Sequence, residues 1–279
     1  MIVCNTIAEL KEKIQQQKSQ NRVIGFVPTM GALHQGHLSL VEASNKACDY
    51  TVASIFVNPT QFNNSEDLEK YPRDENRDLQ LLEKMDCDCV FIPSVKEVYP
   101  EKDSRIFDFD GLDLLMEGAF RPGHFNGVAQ VVSKLFYMVE PNKAYFGIKD
   151  FQQVSIVSKM VEKLEMKIEI IACPIVREKN GLAMSSRNER LNPKERERSS
   201  IISKALFEAK KEKENKTVSE TKEQVIRTIN DDNLFDVEYF EIVNMKTLKP
   251  INEWDNSETQ VGCVAVNVGK VRLIDNISF

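Results

Sequence analysis

The sequence has no apolar run approaching the roughly 20 residues that a membrane-spanning helix needs. Its first residues, MIVCNTIAELKEKIQQQ, show the pattern of a short strand followed by an amphipathic helix. They contain no apolar run that ends in a small-residue cleavage site, the pattern of a secretion signal. We therefore expect no membrane association and no secretion signal, and we predict a cytoplasmic protein.

The chain also lacks an excess of positive charge. Its 37 Lys and Arg residues are outnumbered by 43 Asp and Glu residues, which gives a formal net charge of −6. Because nonspecific affinity for nucleic acid depends on neutralising phosphates, this balance argues against a nucleic acid partner. A local basic pocket for a small phosphate-bearing molecule remains compatible with it.

Paired cysteine motifs are scarce. The six cysteines are scattered, and the one close pair, Cys87 and Cys89, has no second pair to complete a zinc site. A chain of 279 residues can bury a sufficient core without disulfide bonds. We therefore expect reduced, mostly buried thiols, as in a cytosolic protein.

Short apolar runs alternate with helical patterns over the first two-thirds of the chain. Helical spacing of apolar residues predicts helices at 38–47, 74–85, 127–139 and 151–164. The runs that predict strands are NRVIGFVP, YTVASIFVNP, CDCVFIP, AYFGI and KIEIIACPIV. This alternation predicts an α/β fold with an open, doubly wound, Rossmann-like parallel sheet that binds ligands at the carboxyl ends of its strands.

The pattern changes after Val176. Asn192 and Pro193 are typical of a helix start, and they should open one long charged helix. A further helix at 219–229 precedes three runs typical of antiparallel strands: FDVEYFEIVN, CVAVNV and KVRLIDNI. We therefore predict two domains, a nucleotide-binding domain at 1–176 and a smaller α+β domain at 177–279.

Two of the three histidines lie in one run, PTMGALHQGHL, between a predicted strand and the helix at 38–47. Gly31 and Gly36 have the spacing of a P-loop, but His37 stands in place of the required Lys and no Ser or Thr comes next. The Gly-x-Gly-x-x-Gly pattern of dinucleotide sites is absent as well.

His34 and His37 lie one turn apart near a helix N-terminus, where free N–H groups favour anions. Gly36 would let the backbone come close to a ligand. Two imidazoles at this place can donate hydrogen bonds to phosphate oxygens and stabilise charge that develops during transfer. The competing interpretations are a surface coincidence or a metal pair, for which His124 is the one remaining histidine.

The segment YFGIKDFQQV follows a predicted strand and carries Lys149 and Asp150. Lys149 could neutralise a phosphate, and Asp150 could accept hydrogen bonds from ribose hydroxyls. The alternative is a polar turn in which Asp150 caps the next helix.

Three further polar runs follow, and the first two allow both a functional and an ordinary structural interpretation. The hydroxyls and guanidinium of Ser185, Ser186 and Arg187 suit a triphosphate or simply form a solvated loop. Gln61, after a predicted strand, could bind a hydroxyl or carboxylate of a substrate or be a turn residue. The run RPGHFNGV enters a helix with Arg121, His124 and Asn126.

Taken in order, six segments resemble the pantothenate synthetase family, the pantoate–β-alanine ligases. They are PTMGALHQGH, SIFVNPTQF, YPR, RPGHFNGV, FGIKDFQQ and GLAMSSRN, and they extend over most of the chain. The resemblance implies an ATP- and Mg²⁺-dependent, commonly homodimeric enzyme with pantoate and β-alanine as substrates. It also implies a nucleotide- and pantoate-binding Rossmann-like domain and a C-terminal lid.

The resemblance implies a role for particular positions. His34, His37 and Lys149 would be catalytic, with His37 as a proton donor, and Gln61 and Gln153 would hold pantoate, Gln61 also lying near β-alanine. No direct protein ligand of the metal is implied. Ile148 stands where the family often has Glu, and we expect it to be a surface contact without loss of activity. The implied ATP-binding positions are Met30, Gly31, Ala32, Leu33, His34, Gln35, Gly36, His37, Gly147, Ile148, Lys149, Asp150, Val176, Met184, Ser185, Ser186 and Arg187.

Two alternatives to a ligase stay open. A nucleotidyltransferase of the same superfamily would attach a nucleotide to a phosphate or alcohol, but a phosphorylated acceptor should call for more Lys or Arg than the neutral amides of Gln61 and Gln153. A non-catalytic nucleotide sensor would have no need of a second substrate pocket. The expected ligase reaction is attack of the pantoate carboxylate on the α-phosphate of ATP, followed by attack of the β-alanine amine on the pantoyl adenylate.

Overall fold

The computed structural model describes residues 1–62, 68, 69 and 71–279. A six-stranded, entirely parallel sheet occupies the N-terminal part, in the order β1-β4-β3-β2-β5-β6. Its strands are β1 Ile2–Cys4, β2 Ile24–Thr29, β3 Tyr50–Ile55, β4 Cys89–Phe91, β5 Lys143–Gly147 and β6 Glu169–Cys173. The helices of this part are α1 Ile7–Ser19, α2 Gln35–Ala47, α3 Glu75–Lys84, α4 Val95–Val98, α5 Met116–Phe120, α6 His124–Val139 and α7 Phe151–Lys163.

Both faces of this sheet are covered, which explains its β-branched and aromatic strands. In β2, Phe26 packs in a cluster with Phe136 of α6, whereas the next residue, Val27, packs on the other face with Val41 of α2. All six residues of β3 are buried. The α/β fold with a doubly wound parallel sheet is therefore confirmed.

The strand order reverses between β2 and β5, and this reversal determines where a ligand can bind. From β2 the chain continues outward through β3 and β4, and it then returns to place β5 on the other side of β2. The loops that leave β2 and β5 therefore diverge to opposite faces and open a crevice at the carboxyl ends of the two strands.

The C-terminal part has its own antiparallel sheet, with strands β7 Phe235–Asn244, β8 Gln260–Val268 and β9 Val271–Ser278. The helices α8 Pro193–Arg198, α9 Ser200–Glu212 and α10 Val218–Asn230 accompany it. Leu206, Phe240 and Val266 belong to the cluster that these elements bury. The predicted α+β character of this part is confirmed.

Several boundaries differ from the sequence-based prediction, and two of the differences have a clear local cause. The side chain of Asn192 does cap a helix, accepting hydrogen bonds from the N–H groups of Lys194 and Glu195. That helix ends at Arg198, however, and a separate helix begins at Ser200, so the single long helix was wrong. Helix α6 begins at His124, three residues before the predicted start, because Gly123 with φ of 79° turns the chain into it.

Neither disulfide bonds nor membrane-spanning helices are found among the described residues. All six cysteines are free, and five of them, all except Cys48, are buried. Among the helices that the structure describes, none has the length and apolar character needed to cross a membrane.

Candidate active site

A cavity of about 210 Å³ lies at the carboxyl ends of β2 and β5, where the strand order reverses. Its polar side is formed by the segments that leave these strands and by residues 184–187. Helix α6 supplies an apolar wall of Val128, Val131, Val132 and Leu135. The cavity therefore combines an apolar wall with polar groups that can orient a ligand, the usual character of a small-molecule site.

The loop from β2 to α2 is bent by two successive left-handed residues, Gly31 with φ of 81° and Ala32 with φ of 48°. The carboxylate of Asp78 on α3 holds this bend by accepting hydrogen bonds from the N–H groups of Ala32 and Leu33, at 2.8 and 2.7 Å. Asp78 is 1% exposed, and burial raises the pKa of its carboxyl group. Sequence reasoning missed this residue, although its position one turn before the buried Leu82 indicated an inward side chain.

His34 and His37 lie together at the start of α2, with ring centroids 4.1 Å apart. Nδ1 of His34 accepts from the N–H of Gly36 at 3.1 Å, and Nδ1 of His37 accepts from the N–H of His34 at 3.3 Å. Since a neutral imidazole has one protonated nitrogen, each ring carries its proton on Nε2. Both side chains line the cavity, so the pair can offer it two N–H donors.

The two imidazoles are held in the neutral form. Burial, followed by the positive charge of Lys149, lowers the pKa of His34 from 6.5 to about 4. Burial, followed by the neighbouring His34 and Lys149, lowers the pKa of His37 well below its ordinary value. At neutral pH the pair therefore acts through oriented hydrogen bonds, and the fixed positive charge beside it belongs to Lys149.

Gly36 is explained by the histidine pair more directly than by a ligand. A Cβ at this position would lie 2.9 Å from Nδ1 and Cε1 of His34, closer than real Cβ contacts come. The absence of a side chain therefore leaves space for the His34 ring to turn back onto the helix N-terminus.

Lys149 and Asp150 also line the cavity, in a 3₁₀ turn, Ile148–Asp150, that follows β5. Their Nζ and Oδ2 atoms are 3.6 Å apart. Asp150 stands at the N-cap of α7 but makes no side-chain capping hydrogen bond, which weakens the alternative that it serves as a helix cap. Ile148 corrects our expectation of a surface contact, since its side chain is partly buried against the core and does not line the cavity.

Gln61 lies in a 3₁₀ turn, Pro59–Gln61, after β3, and its side chain is buried. Asn58, which is 1% exposed, donates from Nδ2 to Oε1 of Gln61 at 3.2 Å and to the carbonyl of Gly127 at 3.1 Å. The hydroxyl of Tyr99 donates to Oδ1 of Asn58 at 3.0 Å. Asn58 thus fixes the turn and lines the cavity, and sequence reasoning did not identify it as a site residue.

The two glutamines at the start of α7 have different surroundings. Gln153 lines the cavity, as Gln61 does. Gln152 is buried, and its Nε2 donates to the carbonyls of Leu112 and Leu115 at 2.7 and 2.8 Å. Of this pair, Gln153 is therefore the one available to a ligand in this cavity.

Residues 176–187 close the remaining side. Met184 N–H donates to the carbonyl of Val176 at 3.0 Å, so these two cavity residues face each other across a narrow hairpin. Ser185 caps a 3₁₀ turn, Ser186–Arg190, by accepting from the N–H of Arg187. The hydroxyl of Ser186 donates to the carbonyl of Ala32 at 3.0 Å, which ties this segment to the β2–α2 loop.

Most of the predicted positions meet at this cavity, and some do not. Five implied ATP positions are not part of its wall: Gly31, Ala32, Leu33, Gln35 and Ile148. Leu33 belongs to the buried core, and Ala32 acts through its backbone. Two polar residues of the run entering α6 lie outside as well, since His124 binds the carbonyl of Gln61, and Asn126 binds backbone groups of Phe107 and Arg105. The described residues contain no group of three or more His, Cys, Asp or Glu side chains that could hold a metal ion.

Sequence comparison with known proteins identifies the family to which the chain belongs. A sequence model of the pantoate-beta-alanine ligase family matches residues 2–278. The chain is 51% identical to the pantothenate synthetase of Bacteroides thetaiotaomicron, covering 100% of this chain and 99% of the relative. It is 49% identical to that of Acetivibrio thermocellus, covering 99% of each.

Comparison with solved structures supports the same family. A crystal structure of pantothenate synthetase from Thermus thermophilus superposes with a TM-score of 0.92 at 40% identity, covering 99% of each chain. The pantoate-beta-alanine ligase of Francisella tularensis, solved in complex with beta-gamma ATP and beta-alanine, gives 0.82 at 35% identity, covering 99% of this chain and 97% of that one. The chain belongs to the pantoate-beta-alanine ligase family, the enzymes that condense pantoate with β-alanine.

Proposed function

We propose that the chain makes pantothenate from (R)-pantoate, β-alanine and ATP through a pantoyl adenylate, with release of diphosphate and then AMP. The observation that supports this proposal most strongly is that the neutral histidine pair and Lys149 line the same cavity at the strand reversal. Such a site offers hydrogen bonds and fixed positive charge to a phosphate group, without a P-loop.

In the first step the pantoate carboxylate attacks the α-phosphate. Negative charge then develops on the phosphate oxygens, and the Nε2–H groups of His34 and His37 can donate hydrogen bonds to them. Lys149 supplies a positive charge that needs no proton transfer. Because both histidines are neutral, we assign His37 as an oriented hydrogen-bond donor in this step.

The remaining implied ATP positions are proposed to surround the nucleotide. The backbone of Val176 would contact adenine, Gly147 and Asp150 the ribose, and residues 184–187 the phosphates. All of these line the cavity.

Pantoate is proposed to bind between Gln61 and Gln153. Each amide can donate and accept, which suits a molecule with hydroxyls and a carboxylate. The Nε2 group of Gln61 is 2.9 Å from Sδ of Met30, a weak acceptor that a substrate oxygen can replace.

In the second step the neutral amine of β-alanine attacks the carbonyl of the mixed anhydride, and AMP leaves. The mixed anhydride must be protected from hydrolysis, and the apolar wall of α6 excludes water from this side of the cavity. The Francisella tularensis relative, solved in complex with beta-gamma ATP and beta-alanine, supports the proposal that this chain binds both substrates.

The residues present fit a Mg²⁺ ion that is held mainly by ATP. Asp150, assigned above to the ribose, is the single carboxylate among the described residues that line the cavity, so the ion would be held by phosphate oxygens and by waters, several of which Mg²⁺ usually keeps in proteins. When bound, the ion would neutralise the charge of the leaving diphosphate. From family membership alone, we also propose a cytoplasmic homodimer.

The proposal is tested by isotope exchange between diphosphate and ATP. We expect exchange that requires pantoate and proceeds without β-alanine, together with AMP as the nucleotide product once β-alanine is added. Formation of ADP would contradict the adenylate mechanism. A stable nucleotidylated product that β-alanine does not consume would favour a nucleotidyltransferase instead.

A further inference from the structure

Two adjacent residues of β9, Asp275 and Asn276, reach from the C-terminal sheet to the two segments that enclose the phosphate side of the cavity. Both are buried, with 4% and 6% exposure. They are joined to each other, because the N–H of Asn276 donates to Oδ1 of Asp275 at 2.8 Å. Neither residue lines the large cavity itself.

Asn276 holds the turn that carries Lys149. Its Nδ2 group donates to the carbonyls of Ile148 and Lys149, both at 2.9 Å. An amide NH₂ has two hydrogens, and this arrangement uses one on each carbonyl. The contact joins positions more than 120 residues apart in the chain, so it is a connection between the two parts of the molecule.

Asp275 holds the other segment. Its carboxylate accepts two hydrogen bonds from the guanidinium of Arg177, at 2.6 and 2.9 Å. Arg177 follows Val176 and pairs with Ala183, directly before the residues 184–187 of the cavity wall. One strand of the C-terminal sheet thus fixes both sides of the phosphate region.

We propose that Asn276 is a positioning residue for Lys149, so that the C-terminal sheet determines where the positive charge stands in the first half-reaction. The proposal rests on the function proposed above, in which Lys149 acts on the phosphates of ATP. Loss of the two donors would release the Ile148–Asp150 turn and let Lys149 Nζ move away from the reacting phosphate. A displacement of about 1 Å at a reacting group can lower the rate by about 100-fold.

The test uses two substitutions in the full-length enzyme. Asn276→Asp keeps the shape and replaces the donating NH₂ group with a carboxylate oxygen that repels both carbonyls, and Asn276→Ala removes the donors without adding a charge. We expect either variant to lower kcat of pantoate-dependent ATP–diphosphate exchange by at least about tenfold, while the KM for pantoate changes less than about twofold. Asn267→Asp is the matched control, since Asn267 is on the neighbouring strand β8 and bonds to Asp236, away from the cavity.

A double-mutant cycle with Lys149→Ala separates positioning from a general structural role. If Asn276 acts through Lys149, Asn276→Ala should have less than about a twofold effect once Lys149 is already alanine. A folded Asn276→Ala enzyme with the parent exchange rate, or an equal loss in both backgrounds, overturns this inference and leaves the proposed function intact. A Lys149→Ala enzyme with the parent rate overturns the assigned role of Lys149, and the inference with it.

Discussion

His124 is a buried histidine that joins the start of α6 to the turn carrying Gln61. Its Nδ1–H donates to the carbonyl of Gln61 at 2.9 Å. Burial, followed by the positive charge of Arg121, lowers the pKa of His124 from 6.5 to about 4. Between these two pH values the unfolded chain binds a proton here that the folded chain does not, so acidification favours unfolding.

The substitution His124→Asn tests this linkage, since its amide can still donate to the carbonyl of Gln61. A shift of this size corresponds to about 3 kcal/mol, lost as the pH falls from 7 to 4. We expect the free energy of unfolding of the variant to decline less than that of the parent over this range, by about 2–3 kcal/mol. The measurement is urea denaturation at a series of pH values; parallel curves for the two proteins would refute the assignment.

Gln153→Ala tests the pantoate site. A pocket built to bind hydroxyls and a carboxylate leaves those groups unpaired when an amide is removed, at a cost of about 1–3 kcal/mol for each buried partner. We expect kcat/KM for pantoate to fall by about tenfold or more, with little change in KM for ATP. Gln15→Ala, on the exposed face of α1, is the control. Equal damage to pantoate and ATP use, at unchanged Tm, would contradict the assignment.

Helix α6 and the turn Pro59–Gln61 come close enough that only glycine fits between them. A Cβ on Gly127 would lie 2.5 Å from the carbonyl oxygen of Thr60 and 2.9 Å from Cα of Gln61. The carbonyl of Gly127 also accepts from Asn58, so the contact fixes both the distance and the orientation of the turn. The position of Gln61 is therefore determined by the packing of one element against another.

Gly127→Ala is expected to move the Gln61 turn, because backbone atoms on both sides must separate by several tenths of an ångström. Alanine is the better helix former by about 1 kcal/mol, so helix propensity alone predicts a small stabilisation. We expect instead a lower Tm and a loss of pantoate use larger than the loss of ATP use. A variant with higher Tm and the parent KM for pantoate would show that the turn tolerates the methyl group.

Local patterns predicted the elements well, because strands such as Tyr50–Ile55 and the turns that end them depend on residues that are neighbours in the chain. The segments at the carboxyl ends of β2 and β5 could also be predicted to meet, since parallel strands place these ends on one edge. The partners Asp78 and Asn276 could not, because each acts on a backbone group 45 to 128 residues away. No local sequence pattern distinguishes these two residues, and only the packing of α3 and β9 gives them a function.

The two parts of the molecule, which we propose as domains 1–176 and 177–279, are also joined by a network of charges beside the site. Arg272 of β9 donates to the carboxylate of Glu117 on α5 at 2.8 and 2.6 Å and to Glu238 of β7 at 2.6 Å. The hydroxyl of Tyr239 donates to Glu117 at 2.8 Å. Although burial opposes ionisation, these partners hold the pKa of Glu117 below its ordinary value.

Glu117→Gln keeps the shape of this junction and removes the charge that receives Arg272. Hydrogen bonds to charged groups contribute about 1.5–3 kcal/mol, and Arg272 retains Glu238, so we expect a loss of about 1–3 kcal/mol. Since the lost contact lies between the two sheets, its removal should lower the cooperativity with which the two sheets unfold. Thermal unfolding measured by calorimetry should then show a broadened or split transition, as expected when two cores unfold separately.

The matched control is Glu241→Gln, which breaks an ion pair with Lys222 at 2.7 Å inside the C-terminal part. It should lower stability while the single transition is kept, because both residues unfold with the same core. A split transition in both variants would mean that loss of any ion pair uncouples the molecule. An unsplit transition for Glu117→Gln, with the expected loss of stability, would mean that contacts other than this network, such as those of Asn276 and Asp275, are sufficient to keep the two sheets one folding unit.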